Sequence, residues 1–149
     1  MAIDRRSLFA RLIGGALAGG AITRAAAATA TGGVPRVAYH LSDLDKVTFA
    51  LGNIANHIAG EGGPGKVAIV LVVNGPALSA FRTGRANPDI TRRLAAIAGQ
   101  GVELGACGNT LDAQQIAVTD LLPGFVRVDE GGVVRLARLQ AEGYAYIRP

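Results

Sequence analysis

Several residue types are scarce in this sequence of 149 residues. It has no tryptophan, three tyrosines, four phenylalanines and one cysteine, although half of its residues are hydrophobic. Its core must therefore consist of valine, isoleucine, leucine and alanine, which are typical of buried parallel strands and their covering helices. A single cysteine excludes an internal disulfide and a cluster of cysteine ligands for a metal. The composition favours an α/β protein over a β-sandwich.

A strong excess of positive charge is also absent outside the first 30 residues. The formal net charge is +4, and four arginines and one aspartate within residues 1–30 account for three of these charges. The other basic residues are interleaved with acidic ones, and no aromatic platform accompanies them. We therefore expect no nucleic-acid binding.

The first 30 residues have the pattern of an export signal. Residues 4–9 read Asp-Arg-Arg-Ser-Leu-Phe, and an apolar, glycine-rich stretch follows at 12–22. This order is typical of a twin-arginine signal peptide, with small residues for cleavage between Ala26 and Ala30. The stretch is shorter than the roughly 20 residues of a membrane-spanning helix. We expect residues 1–30 to be removed and residues 31–149 to form one periplasmic domain without a membrane span; an uncleaved amphipathic anchor is the alternative.

The rest of the sequence alternates between strand and helix patterns. Strands are predicted over 34–41, 66–73, 102–107, 125–129 and 144–147. Helices are predicted over 47–60, 76–81, 88–98, 111–117 and 132–141. Residues 42–45 are predicted to cap the helix at 47–60, and Asn87 and Pro88 the helix at 88–98. Such alternation predicts a three-layer α/β/α domain with a mainly parallel five-stranded sheet.

Cys107 lies at the carboxyl end of the third predicted strand, directly before Gly108, Asn109 and Thr110. In open α/β sheets, ligands collect at this end of the strands. If Asn109 or Thr110 caps the next helix, the sulfur faces a helix N-terminus, which stabilises the thiolate. Asp112 in the first turn is expected to oppose that effect. The alternative is that Cys107 is a buried core thiol.

Two further segments reach the same rim of the predicted sheet. His40, near the end of the first strand, is expected to bind the thiol or a substrate anion, or else to be a structural hydrogen-bonding residue. Asn74 and Gly75 follow the second strand and offer backbone amides to a small anion, with a plain loop as the alternative. His57 is expected to be solvated or to lie in a subunit contact. Because the sequence has no C-x-x-C, G-x-S-x-G or P-loop motif, we expect no metal and no cofactor.

Three segments resemble the DsrE/DsrF-like family, and more closely its YchN-like branch. These are the strand and turn at 66–76, the Gly-Val strand at 101–110 that contains Cys107, and the ending at 143–149. The resemblance covers about residues 34–149. It implies a parallel sheet between helices, assembly into trimers or hexamers, and sulfur carried as a persulfide on Cys107, as in the sulfur-relay members. Cys107 would then accept sulfur from a donor and pass it to an acceptor protein.

The sequence therefore predicts an exported homo-oligomer whose Cys107 carries sulfur or acts in the metabolism of sulfur compounds. His40 is the second predicted catalytic residue. The predicted ligand-binding residues are Asn74, Gly75, Gly108, Asn109 and Thr110. One alternative is a non-catalytic oligomeric module that binds a small ligand or a protein, with Cys107 structural. Another is a hydrolase or thiol transferase that uses Cys107 with His40, although no orienting acid is evident.

Overall fold

The computed structural model describes residues 32–149, so the predicted signal peptide lies outside the described residues. Within 32–149 the chain forms five strands and four α-helices. Their bounds are β1 Arg36–Leu41, α1 Val47–Gly60, β2 Ala68–Val73, α2 Pro88–Gly99, β3 Glu103–Cys107, α3 Gly108–Ala113, β4 Phe125–Val128, α4 Gly132–Ala141 and β5 Ala145–Ile147. Within this part of the chain, no helix has the length and hydropathy needed to cross a membrane.

The strands form one parallel sheet in the order β4-β3-β2-β1-β5. From β1 to β4 the chain always steps in the same direction, and it then crosses the sheet to reach β5. Because crossovers between parallel strands are right-handed, this reversal places α4 on the opposite face from α1 and α2. The predicted three-layer α/β/α fold with a parallel five-stranded sheet is confirmed.

The two faces of the sheet carry cores of different size. Alternate residues of β1 point to opposite sides: Tyr39 belongs to the large apolar core beneath α1 and α2, and Ala38 belongs to a smaller cluster beneath α4. The large core holds residues such as Ile54 of α1 and Ile97 of α2. The smaller one is Ala38, Val70, Val72, Leu136 and Leu139. One face is therefore filled, and the other is only partly covered.

The predicted cap of the first helix is found in position but not in hydrogen bonding. Asp43 is the N-cap of a short 3-10 turn, Leu44–Lys46, that leads directly into α1, but its side chain makes no capping hydrogen bond. The side chains of Ser42 and Asp43 instead accept hydrogen bonds from Arg148 Nη2, at 3.0 and 2.9 Å. They tie the C-terminal segment to the end of β1 and are not used for capping.

The start of the second helix agrees with the sequence, and the start of the third does not. Asn87 Oδ1 accepts the backbone N–H of Asp89 at 2.8 Å, as its predicted N-cap role requires. The third helix was predicted over 111–117 but begins at Gly108, with Cys107 itself at the N-cap position. Because the chain turns into the helix at once, Asn109 and Thr110 lie in the first turn and are not caps.

Candidate functional site

Cys107 lies at the end of β3, beside β4, and the connections that follow these two strands run to opposite faces of the sheet. After β3, α3 contributes Leu111 to the large core, whereas after β4 the chain leads to α4 on the opposite face. In open α/β sheets, the crevice between two strands whose connections leave in opposite directions is the usual ligand site. Cys107 ends β3 at this point, so its placement agrees with the position expected of a functional residue.

The sulfur of Cys107 is buried and lies beside polar hydrogens from two segments. The residue is 5% exposed, and its Sγ accepts the backbone N–H of Gly132, the first residue of α4, at 3.1 Å. The hydroxyl and N–H of Thr110 and the N–H of Asn109 also face the sulfur. They lack the alignment of a full side-chain cap, so Gly132 supplies the well-formed hydrogen bond.

These donors decide the ionisation of the thiol. Burial raises the pKa of Cys107 and is the largest single influence. The hydrogen bond from Gly132 and the approach of Thr110 and Asn109 act in the opposite direction, and together they bring the pKa below its ordinary value. A buried thiol surrounded by N–H and O–H donors thus ionises more readily near neutral pH than a free cysteine.

Thr110 is itself held by the loop after β2. Its Oγ1 accepts the backbone N–H of Gly75 at 3.0 Å, and Gln114 donates to the carbonyl of Gly75 at 2.9 Å. Because Oγ1 accepts from Gly75, the hydroxyl proton remains free to point to the sulfur. Gly75 therefore acts on Cys107 through Thr110, and its N–H does not face an open anion site. Sequence reasoning missed Gln114, which carries no motif.

Glycines surround the sulfur closely. A Cβ at Gly108 would lie 2.8 Å from the carbonyl oxygen of Val128, and one at Gly131 would lie 2.7 Å from Asn109 Nδ2. Gly131 also has a φ of +89°, which disfavours other residues. Gly108 and Gly131 thus let the chain segments beside Cys107 and Asn109 approach each other closely. Gly131 and Gly132 were not predicted as site residues, because they lie at the start of α4, and Gly132 is 25 positions from Cys107 in the sequence.

His40 belongs to a row of polar side chains on the α4 face. Its Nε2 lies 3.0 Å from Asn74 Oδ1, and its Nδ1 lies 2.8 Å from the hydroxyl of Tyr146. Within residues 32–149, His40 makes no hydrogen bond to Cys107 Sγ, and Asn74 directly follows β2, the strand between β1 and β3. The expected direct contact with the thiol is therefore absent. Tyr146 was not predicted as a site residue.

The other histidine lies outside this row, on the opposite face. His57 Nδ1 lies 2.9 Å from the hydroxyl of Tyr39, and its Nε2 lies 3.7 Å from Glu61 Oε1. Burial raises the pKa of Tyr39. His57 is thus a half-buried histidine bonded to a core tyrosine, and its role in a subunit contact stays a prediction.

Asp112 is paired, which changes its expected influence on Cys107. Its carboxylate accepts two hydrogen bonds from Arg127, at 2.7 and 3.0 Å, and Arg127 Nε also binds Asp129 at 2.7 Å. The hydrogen bond from Arg127 lowers the pKa of Asp112. The predicted opposition of Asp112 to the thiolate is therefore offset by the adjacent guanidinium.

An open groove of about 470 Å³ lies on the α4 face beside β3 and β4. Its wall includes Val126, which is 67% exposed. The residues around it combine valines with charged side chains: Val70, Val72, Val102, Val126, Val128, Glu103, Glu130, Arg127 and Arg135. Within residues 32–149, no group of three His, Cys, Asp or Glu side chains is placed to hold a metal ion.

Fold and site define a class of small α/β protein with a donor-stabilised cysteine at a strand end. Residues 35–149 match the DsrE/DsrF-like family, and the chain belongs to this family. A solved protein of unknown function from Methanobacterium thermoautotrophicum, MTH1491, is 32% identical with a TM-score of 0.68, covering 77% of this chain and 99% of that one. The ychN protein from E. coli is 16% identical with a TM-score of 0.59, covering 76% and 99%. Comparison with curated proteins gave no match.

Proposed function

We propose that Cys107 carries sulfane sulfur as a persulfide, in sulfur relay or in the metabolism of sulfur compounds. The observation that carries the proposal is the hydrogen bond from Gly132 N–H to Sγ, together with the donors of Thr110 and Asn109. These groups favour a thiolate at a strand end of a DsrE/DsrF-like fold. Cys107 is the one cysteine of the chain, so no internal disulfide competes for it.

The chemical step is a displacement at sulfur. The Cys107 thiolate attacks the outer sulfur of a donor such as thiosulfate, a bond forms between the two sulfurs, and the S–S bond of thiosulfate breaks. Sulfite leaves with the electron pair of that bond, and the new persulfide carries the negative charge. Attack by an acceptor thiolate on the outer sulfur then releases the Cys107 thiolate. No oxidant, metal or cofactor enters this balance.

Intact-protein mass spectrometry after incubation with thiosulfate or polysulfide tests the proposal. We expect wild-type protein to gain the mass of one sulfur atom, reversibly by an added thiol, and Cys107→Ser to gain none. Peptide mapping should place the sulfur on Cys107. A wild-type protein that gains no sulfur, while its thiol still reacts with a small alkylating reagent, would contradict the proposal.

The burial of Cys107 favours a second candidate function. At 5% exposure the thiol can be a packed core residue of a module that binds a small ligand or a protein non-catalytically. This candidate requires that Cys107 be labelled only after denaturation and that Cys107→Ser leave oligomerisation and binding intact. The lowered pKa of Cys107 favours the sulfur carrier, because sulfur transfer requires a thiolate. A hydrolase or thiol transferase that uses His40 as a base has no support from the His40 contacts.

We also propose that residues 1–30 direct twin-arginine export and that the protein acts in the periplasm as a trimer or hexamer. The arginine pair at 5–6 supports export, and the exposed valines at 126 and 133 supply apolar surface for subunit contacts. Replacing both arginines by lysine should retain the precursor in the cytoplasm. Light scattering on the mature chain should give three or six times the monomer mass, and a monomer would contradict the assembly.

A further inference from the structure

Gly75 is held by α3 at both of its backbone polar groups. Its N–H donates to Thr110 Oγ1 at 3.0 Å, and its carbonyl accepts from Gln114 Nε2 at 2.9 Å. Gln114 is the C-cap of α3, and its own N–H donates to the carbonyl of Thr110 at 2.9 Å. Side chains four positions apart lie on the same side of a helical turn. One side of α3 therefore carries both side chains that bind Gly75.

The segment that carries Gly75 is fixed on its other side by the end of β1. The N–H of Asn74 donates to the carbonyl of Leu41, and the N–H of Ala77 to the carbonyl of Ser42, each at 3.0 Å. Gly75 has a φ of +57°, and a Cβ there would lie 3.4 Å from the carbonyl oxygen of Ser42. Because the segment is anchored on either side of Gly75, it offers α3 a backbone N–H and carbonyl in a fixed place.

The hydroxyl of Thr110 has one proton, and its direction decides whether the sulfur receives it. A helical threonine can donate this proton to a carbonyl of the preceding turn, as Thr91 does to the carbonyl of Asn87 at 3.3 Å. Among the residues that the structure describes, Thr110 forms no such bond, and its Oγ1 accepts from Gly75. The proton is thus left for Cys107, which the hydroxyl faces.

We infer that Gln114 is a positioning residue for Cys107. Its amide fixes Gly75, and Gly75 holds the Thr110 hydroxyl in the orientation that leaves the proton for Sγ. Gln114 is not among the groups that influence the thiol directly, so its effect passes through two hydrogen bonds. The inference rests on the proposed function for its consequence, which is more thiolate for attack on a sulfur donor. The ionisation of the thiol tests it without any sulfur donor.

The test is the pKa of the Cys107 thiol, measured from alkylation rates across pH in Gln114→Met. Methionine removes the amide at similar length and adds no charge. We expect the pKa to rise, because the hydroxyl is kept but no longer fixed, and to rise by no more than in Thr110→Val, which lacks the hydroxyl. Below this pKa, persulfide formation from thiosulfate should slow in the same proportion as alkylation. Gln140 is exposed on α4, and Gln140→Met, the matched control, should retain the wild-type pKa.

The double variant of Gln114→Met with Thr110→Val tests the route of the effect. If Gln114 acts through the hydroxyl, the double variant should have the pKa of Thr110→Val alone, so the two shifts do not add. Gln114→Asn keeps the amide but shortens its reach by one methylene, and it should shift the pKa as Gln114→Met does. It takes the place of Gln114→Met if the methionine variant does not fold.

Two outcomes overturn the inference. An unchanged pKa in folded Gln114→Met or Gln114→Asn removes Gln114 from the site. Shifts that add in full in the double variant show that Gln114 acts on the sulfur by a route other than Thr110. A wild type that gains no sulfur from thiosulfate fails the proposed function, whereas the pKa values still decide the role of Gln114.

Discussion

The two faces of the sheet differ in how far apolar side chains cover them. The face beneath α1 and α2 is covered by a continuous apolar core, whereas the α4 face has a small cluster and then a row of polar side chains, Cys107, Asn74, His40 and Tyr146. Both faces are made by the same strands, whose residues alternate between them. The face beneath α1 and α2 therefore supplies most of the stability of the fold. The α4 face, which is partly open and has glycines near Cys107, contributes less.

Removing a large side chain from the filled face should break the fold before it changes the chemistry. Phe81 is fully buried, and its ring centroid lies 5.2 Å from that of Phe125. We expect Phe81→Ala to lower the free energy of unfolding by about 3–5 kcal/mol in urea denaturation. Phe49, which is 57% exposed, is the control, and Phe49→Ala should change it by less than about 0.5 kcal/mol. The pKa of Cys107 in folded Phe81→Ala should match wild type, and a shift would show that the faces are coupled.

The filled face is also the part of the molecule that the sequence predicts well. The run at 66–73 and the helical spacing of Val47, Leu51, Ile54 and Ile58 report burial directly, and the observed elements follow them. The start of α1 was predicted less well, because the side chains of Ser42 and Asp43 form hydrogen bonds other than helix caps. They bind Arg148, more than a hundred residues away, and no local pattern reveals such a partner.

Ionisation of Cys107 should link the α4 face to overall stability. Its folded pKa lies below the ordinary value, so between the two pKa values the unfolded state binds more protons and stability rises with pH. We expect the free energy of unfolding of wild type, relative to Cys107→Ser, to increase through this window by at most about 1.4 kcal/mol per pH unit. The difference should be lost as pH falls through the folded pKa. A difference that decreases with rising pH would indicate a raised pKa and a structural thiol.

A smaller change should follow from removing a single donor. Thr110→Val deletes the hydroxyl that faces the sulfur, and we expect the pKa of Cys107 to rise because the thiolate loses one donor. Thr110→Ser keeps the hydroxyl and should retain the wild-type pKa. Alkylation rates across pH give both values. If the serine variant shifts as far as the valine variant, packing by the methyl group sets the pKa and the hydroxyl does not.

The site could be predicted only in part, and the reason is visible in its contacts. Cys107 stood out as a lone cysteine at a strand end, and Thr110 and Asn109 lie within three residues of it. The N–H of Gly132 lies at the start of α4, 25 positions from Cys107, and the sequence gives no sign that it contacts the sulfur. The link from His40 to Tyr146 spans 106 positions. These residues come into contact because of the order of the strands and the face on which α4 lies. The alternation of strands and helices in the sequence does not determine either.

The smallest expected effect tests whether the charged rim at the carboxyl ends of β3 and β4, made of Asp112, Arg127 and Asp129, acts on the thiol electrostatically. Arg127 pairs with Asp112 and Asp129 near the start of α3, and Arg127→Gln would leave both carboxylates uncompensated. Because these carboxylates are exposed to solvent, we expect the pKa of Cys107 to rise only slightly, and only at low salt. Adding Asp112→Asn should reverse most of the rise, and high salt should remove it.

The double variant separates charge from structure at this rim. If Arg127 acts on Cys107 only by neutralising Asp112, the alkylation profile of Arg127→Gln with Asp112→Asn should return close to wild type. If the profile stays shifted at high salt as well, then Arg127 acts through its packing against Gly108, where its guanidinium lies within 3.3 Å of the position that a Cβ would take. In that case Arg127 fixes the geometry of the groups that donate to Cys107 Sγ, although it makes no hydrogen bond to the sulfur itself.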